Sequence, residues 1–289
     1  MSLITQTSIQ TLKLCFYGAG SMAEAVAKGL INEKLVDASR ISMLNRQNAD
    51  RLHTLHEVYG VQTVLQGSSN ETYLSESDII FLAMKPKDAA EAIAAIKPFV
   101  SPKQLIISFI AGLSITCIEQ LLGGQIPVVR SMPNTSSTIG LGVTGISYSD
   151  HVTPQQKLIT EAIFKSIGIN AVVDESLQQG ITGVSGSGPA YVYYFMESMI
   201  EAAKQLGFAS EEAKELVVQT VLGAAEMVRA TGEEPSELRR KVTSPNGTTQ
   251  AAIELLDNNH FSETIVKAVF RSAERAGELG AAIERSLNE

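Results

Sequence analysis

Cysteine is scarce in this chain: Cys15 and Cys117 are the only two among 289 residues. One sits in a strand-like run and the other in a helix-like run, so they read as two buried thiols in a reducing compartment. A disulfide framework is excluded, and a cytoplasmic location is expected. Histidine is also sparse, with four copies. His53 and His56 share a helix face without a third ligand nearby, and His151 and His260 lie in polar stretches, so no metal is expected. Positive charge is in deficit, with 23 Lys and Arg against 31 Asp and Glu and a net charge of −8. That balance lacks the electrostatic footprint of a nucleic-acid binder. An anionic substrate would have to be drawn in locally, by backbone dipoles and a few placed cations. No apolar run approaches the ~20 residues of a membrane span. Residues 1–11 lack the basic start and apolar stretch of a signal peptide, so a soluble chain that uses no membrane is expected.

What the chain does have is a hydrophobic fraction of 44%, enough for two domains with a core each. From Leu12, short apolar runs alternate with helical patterns: Leu12–Tyr17 then a helix from Ser21, and Ile41–Leu44 then a helix through Arg51 to Tyr59. Ile79–Met84 follows, then Leu105–Ile110 leading into Ser114–Leu122. Further strands are expected at Pro127–Arg130, Val143–Tyr148 and Asn170–Val173. This alternation reads as βαβ units building a parallel sheet. After about Val173 only helices are expected: Gly188–Leu206, Ser210–Ala230, Pro235–Val242, Thr248–Asn258 and Ser262–Leu287. Ser210 with Glu211 and Glu212 reads as a capped start, and Gly207 as the stop of the helix before it. The fold class is therefore α/β: a Rossmann-like, doubly wound N-terminal domain (1–173) followed by an all-helical domain (174–289). Small residues such as Ala224, Ala225, Ala251 and Ala252 let those helices approach closely. Roughly 115 residues of helix give only a modest core, so dimerisation through this domain is expected.

Two polar turns run straight into helices, where unpaired N–H groups and the dipole favour an anion. The first is Gly18-Ala19-Gly20-Ser21-Met22-Ala23, placed after a strand as the phosphate-binding fingerprint of dinucleotide folds requires. The second is Ser244-Pro245-Asn246-Gly247-Thr248-Thr249, which suits a small carboxylate. At the end of the second expected strand, where an acid would bind the ribose of NAD, stand Asn45 and Arg46. A guanidinium there favours a 2′-phosphate, hence NADPH, with NADH as a weaker alternative. Ala83-Met84-Lys85-Pro86 and Arg130-Ser131-Met132-Pro133-Asn134 end strands at the sheet edge that binds ligands. Val184-Ser185-Gly186-Ser187-Gly188-Pro189-Ala190-Tyr191 is a third glycine-rich turn, read equally as an interdomain turn or a ligand contact. Tyr191, Tyr193 and Tyr194 read as packing residues.

Taken together and in this order, these segments resemble pyrroline-5-carboxylate reductase, an NAD(P)H-dependent enzyme of the last step of proline biosynthesis, from Leu14 to Glu284. The resemblance implies that Gly18, Gly20, Ser21 and Met22 contact the pyrophosphate and that Asn45 and Arg46 contact the adenosine ribose phosphate. It further implies Asn70 on the adenosine side and Ala83, Met84, Lys85 and Pro86 at the nicotinamide half. Glu175, Ser244, Gly247, Thr248 and Thr249 would face 1-pyrroline-5-carboxylate, the precursor of L-proline, with Thr249 as the catalytic candidate through its reach to the ring nitrogen. A homodimer is implied, and further closure of dimers into a ring is left open. One departure stands in the signature: family members commonly carry two glycines after the proline, and here the first is Asn246, a residue that tolerates positive φ. Two rival readings differ in chemistry. A β-hydroxyacid dehydrogenase would need a Lys on the helix after Gly188, where Val192 stands, and an Asn where Met196 stands. A cofactor-sensing protein would not need the Ser244–Thr249 turn.

Overall fold

The computed structural model describes residues 9–67 and 70–288, with side chains described through Arg285. Most of the N-terminal segment read against a signal peptide, residues 1–8, lies outside the described residues.

Eight strands form one sheet: β1 Leu14–Tyr17, β2 Ile41–Asn45, β3 Gln62–Leu65, β4 Ile79–Leu82, β5 Leu105–Ser108, β6 Val128–Pro133, β7 Gly142–Tyr148 and β8 Gly168–Val172. Their order is β3-β2-β1-β4-β5-β6-β7-β8. Every pairing is parallel except β6 with β7. The central strands are buried along their whole length, as continuous apolar runs in a sheet covered on both faces must be. Alternate residues serve opposite faces. Leu14, Phe16, Phe81 and Ile107 join one core with the helices Ser21–Asn32, Ala49–Tyr59 and Pro154–Lys165, and Phe16 stacks on Phe81 at 4.2 Å. Cys15, Tyr17, Ile80 and Leu82 join another with Ala89–Ile96 and Ile115–Leu122. The sheet is thus doubly wound, with its order reversing between β1 and β4.

The expected strands are all present, with ends shifted by no more than three residues. β3 was not anticipated, because Gln62-Thr63-Val64-Leu65 is a half-exposed edge without alternation. The antiparallel course of β7 was not readable either, since it depends on the tight Thr135–Ile139 turn folding back from β6.

By contacts the chain forms two compact units, one reaching to Gly186 and rejoined by residues from Ser272 onward, the other spanning Ser187–Arg271. Residues 174–186 stay with the sheet for a local reason. Gln178 is 1% exposed and donates to Ser147 Oγ at 2.9 Å, and Ile181 fills the space over Gly145. Within the same unit the end of the last helix meets the loop after β5, where Gly280 lies against Gly112 and the Ser114 hydroxyl donates to Glu284 at 2.6 Å.

The second unit contains the helices Gly188–Gln205, Ser210–Thr231, Pro235–Lys241 and Thr248–Asn258, and the start of Phe261–Asn288. Ala209, not Ser210, is the N-cap, and no side chain bonds there, so Glu211 and Glu212 in the first turn supply the favourable charge. Gly207, at φ +103°, does end the helix before it. Only Ala213 and Val217 are buried among the described residues of this unit, while Leu206, Leu255 and Phe270 are well exposed. Tyr193 and Tyr194, read from sequence as packing residues, are exposed in the single chain, because this unit has too few layers to cover them.

Candidate functional site

β1 delivers the chain into the first glycine turn. Gly18 N–H donates to Leu44 O at 3.0 Å, and its φ of +119° is a backbone state that only glycine adopts cheaply. A Cβ there would sit 2.5 Å from Ala83 O, so the turn lies directly on the end of β4. Gly20 differs. It is the N-cap of Ser21–Asn32 with ordinary φ, no side chain caps the helix, and a Cβ on it would meet nothing within 4 Å. The helix N-terminus therefore opens onto unfilled space beside Ser21, the arrangement that receives a pyrophosphate.

This turn is held by residues the sequence reading missed. Arg51 Nε donates to Ala19 O at 3.2 Å while its guanidinium pairs with Glu24, which also accepts from Tyr59 Oη at 2.8 Å. Partial burial works against the Glu24 charge, but the bonds from Arg51 and Tyr59 outweigh it and hold the carboxyl below its usual range. No motif marks Arg51, whose partners lie 27 and 32 residues away.

At the end of β2, Asn45 Oδ1 accepts from the N–H groups of Gln47 and Asn48 at 3.1 and 2.9 Å. Asn45 thus shapes the loop that presents the exposed Arg46, by the side-chain turn that Asn favours. Arg46 borders a cleft of about 320 Å³ lined also by Tyr17, Gln66, Asn70, Asp88 and Glu91. Its size suits an adenosine. Asn70 Oδ1 has no hydrogen-bond partner among the described residues. The Tyr17 hydroxyl is pushed above its ordinary pKa, chiefly by burial and further by Cys15 and Glu91, with Arg46 opposing.

Between these features, β4 is followed by Ala83, whose N–H donates to Tyr17 O at 3.0 Å. Half-buried Met84 follows, and exposed Lys85 caps the short Pro86–Asp88 turn. The described sheet thus brings Gly18–Met22, Asn45, Arg46, Asn70 and Ala83–Pro86 to one edge, at the point where its strand order reverses.

The polar run that ends β6 is used internally. Arg130, 7% exposed, pairs with Glu175 Oε1 at 3.0 Å, and the same oxygen accepts Ile115 N–H at 2.8 Å. Ser131 donates to Ser108 O at 2.8 Å, and Asn134 donates to Ser185 O at 3.0 Å while accepting from Val143 N–H. The Asn134 bond ties the Thr182–Gly186 turn to the sheet. Glu175, expected from the resemblance to face the substrate, is engaged with Arg130 and the start of helix Ile115–Leu122.

The Ser244–Thr249 turn belongs to the other unit. Asn246 has φ 59° and its N–H donates to Gln250 Oε1 at 2.7 Å, while Gly247 N–H donates to Ser244 O at 3.0 Å. A Cβ on Gly247 would come 2.6 Å from Ser244 Oγ and 3.0 Å from Ser244 O, so the hydroxyl would have to turn away to admit it. Gly247 is the N-cap of Thr248–Asn258 and no side chain caps this helix, so its first turn, with exposed Thr248 and half-buried Thr249, is available to an anion.

Comparison with known proteins follows this division. Residues 175–279 match a family model described as pyrroline-5-carboxylate reductase dimerisation, and residues 13–112 match one described as NADP oxidoreductase coenzyme F420-dependent. Pyrroline-5-carboxylate reductase 2 of Bacillus subtilis is 40% identical over 278 residues, covering 94% of this chain and 99% of that protein. The chain belongs to the pyrroline-5-carboxylate reductase family. Among solved structures, a pyrroline-5-carboxylate reductase from Coxiella burnetii superposes with TM-score 0.85 at 38% identity, covering 93% of this chain and 98% of that one. Plasmodium falciparum pyrroline carboxylate reductase, solved with NADP bound, also gives TM-score 0.85, at 32% identity over 94% and 99% of the two chains.

As a pyrroline-5-carboxylate reductase family member, the chain keeps the expected turn despite Asn246, since a left-handed φ is within reach of Asn. No Lys stands on helix Gly188–Gln205 before Lys204, so the acid-base group of a β-hydroxyacid dehydrogenase is missing from it.

Proposed function

We propose that the protein reduces the C=N bond of 1-pyrroline-5-carboxylate to give L-proline, the final step of proline biosynthesis, with NADPH as reductant. The observation that carries this reading is the 40% identity with a pyrroline-5-carboxylate reductase along 99% of that protein's length. It is supported by two helix N-termini left uncapped by side chains, one for each anionic partner. A dinucleotide fits the first: Gly20 leaves open space where a pyrophosphate would lie, and Asn70 Oδ1 lacks a partner among the described residues beside the adenosine cleft.

In this reading, Gly18, Gly20, Ser21 and Met22 hold the pyrophosphate by backbone N–H groups, and Asn45 sets Arg46 against the ribose phosphate. Asn70 takes the adenosine side, and Ala83, Met84, Lys85 and Pro86 form the floor for the nicotinamide. When bound, the cofactor supplies the hydride. The tasks of the chain itself are positioning and electrostatics. Ser244, Gly247, Thr248 and Thr249 hold the substrate carboxylate at a helix N-terminus, and the Thr249 hydroxyl reaches the ring nitrogen. The cyclic imine enters already protonated, so no separate general acid is required. Glu175 contributes by orienting the substrate side through its pair with Arg130.

NADPH preference is favoured by Arg46 standing where an acid would select NAD, and by the NADP in the Plasmodium falciparum relative; NADH is the weaker alternative. The functional division proposed is 1–173 for the cofactor and 174–289 for substrate and dimer. A homodimer is supported by the exposed apolar helices of residues 187–271 and by the dimerisation model they match. Assembly of dimers into a ring is compatible with this reading. Among the described residues no helix is long and apolar enough to cross a membrane, and a cytoplasmic location is proposed. The test is NADPH oxidation on addition of pyrroline-5-carboxylate, with proline formed in equal amount. Cofactor binding without turnover would make the protein a sensor instead.

A further inference from the structure

The geometry points to Asp88 and Glu91 as specificity-determining residues that hold Arg46 back from a cofactor 2′-phosphate and keep the preference for NADPH over NADH small. The inference rests on the cofactor reading above and deepens it.

Arg46 Nη1 lies 3.9 Å from Asp88 Oδ1 and 3.7 Å from Glu91 Oε2. Both separations exceed hydrogen-bond range, so the guanidinium is drawn by charge and not locked in a bidentate fork. Among the described residues lining the cleft, Arg46 is the one cation, facing three carboxylates, Asp88, Glu91 and Glu71. A 2′-phosphate carries nearly two negative charges, so entering here it must share Arg46 with two acids and meet their repulsion. A ribose 2′-hydroxyl is neutral and donates to a carboxylate at no such cost. The field of Glu91 reaches the cleft interior, where it helps to raise the Tyr17 hydroxyl, after burial and Cys15. The device sits in the helix after Pro86, not in the β2 loop from which cofactor choice is ordinarily read.

Both acids can be neutralised without harm to the fold. The side chain of Asp88 makes no capping bond to helix Ala89–Ile96, and that of Glu91 is 83% exposed. The experiment is calorimetric titration of the full-length protein at low ionic strength with NADP+, NAD+, adenosine 2′,5′-bisphosphate and 5′-AMP. The double variant Asp88→Asn, Glu91→Gln should bind NADP+ and the bisphosphate about 3- to 10-fold more tightly, with NAD+ and 5′-AMP unchanged within twofold. Arg46→Ala should remove most of the difference between NADP+ and NAD+. An unchanged NADP+/NAD+ ratio in the double variant, or equal tightening of both, overturns the inference while leaving the cofactor reading intact. Wild-type protein that binds none of the four ligands overturns the cofactor reading itself.

Discussion

At the scale of single residues, Gly18 and Gly20 belong to one motif yet answer to different constraints. Gly18 is required by the fold, because its φ of +119° and a Cβ only 2.5 Å from Ala83 O leave no room for a side chain. Gly20 has ordinary φ and open space around it, so the fold does not require a glycine there, and under the proposed function its role is to let the pyrophosphate approach. Gly18→Ala should therefore lower unfolding free energy by about 2 kcal/mol or more. Gly20→Ala should leave the melting temperature unchanged and weaken NADPH binding at least tenfold; calorimetry beside thermal melts separates the two. Under the proposed role, Thr249→Ala removes a hydrogen bond to a charged substrate group, worth roughly 1.5 to 3 kcal/mol, so kcat/KM should fall by about one to two orders of magnitude. Wild-type kinetics in that variant would remove Thr249 from the chemistry. Gly18 and Asn246 were legible in sequence because a positive φ restricts residue type. Arg51, Arg130 and Gln178 were not, because an Arg or Gln at those positions looks the same whether it is solvated or buried against a distant partner.

At the scale of elements, polar side chains fasten the functional turns to the sheet. Arg51 and Tyr59, both on helix Ala49–Tyr59, grip Glu24 on the helix behind the glycine turn. The folded Glu24 carboxyl titrates below its ordinary 4.5. Its contribution is therefore complete above that value and lost as pH falls through the lower, folded one. Glu24→Gln should cost about 1 to 2 kcal/mol at pH 7, and the gap to wild type should begin to close as pH falls below 4.5 in urea titrations across pH. The Arg130–Glu175 pair makes a sharper demand. Arg130→Ala leaves a partly buried carboxylate unpaired and should cost about 3 kcal/mol. Glu175→Gln divides the roles of that residue: a lower melting temperature with unchanged KM assigns it to scaffolding, and a raised KM at unchanged stability assigns it to substrate. Strands β1, β4 and β5 were readable as apolar runs because both faces are covered. β3 and the direction of β7 depend on edge pairing and a tight turn, which leave no periodic trace.

At the scale of the whole molecule, the two units are stabilised differently. The sheet unit has a core on each face. Residues 187–271 bury only Ala213 and Val217 among those described and expose Leu206, Leu255 and Phe270, so a second copy is expected to cover them. Sedimentation should give at least twice the 31.0 kDa chain mass, and Phe270→Asp should shift the population toward monomer. Alternation of apolar runs with helical periods was enough to determine the fold class, and the motifs from Gly18–Met22 to Ser244–Thr249, taken in order, were enough to reach the family by resemblance. Those properties are local, since secondary-structure period, turn chemistry and composition are written in consecutive residues. What the tertiary structure alone decided is how charges are paired across the chain: Arg51 with Glu24, Arg130 with Glu175, and Arg46 between Asp88 and Glu91. Coulomb energy depends on distance in space, and residues 42 and 45 positions apart become neighbours only when strands and helices have packed.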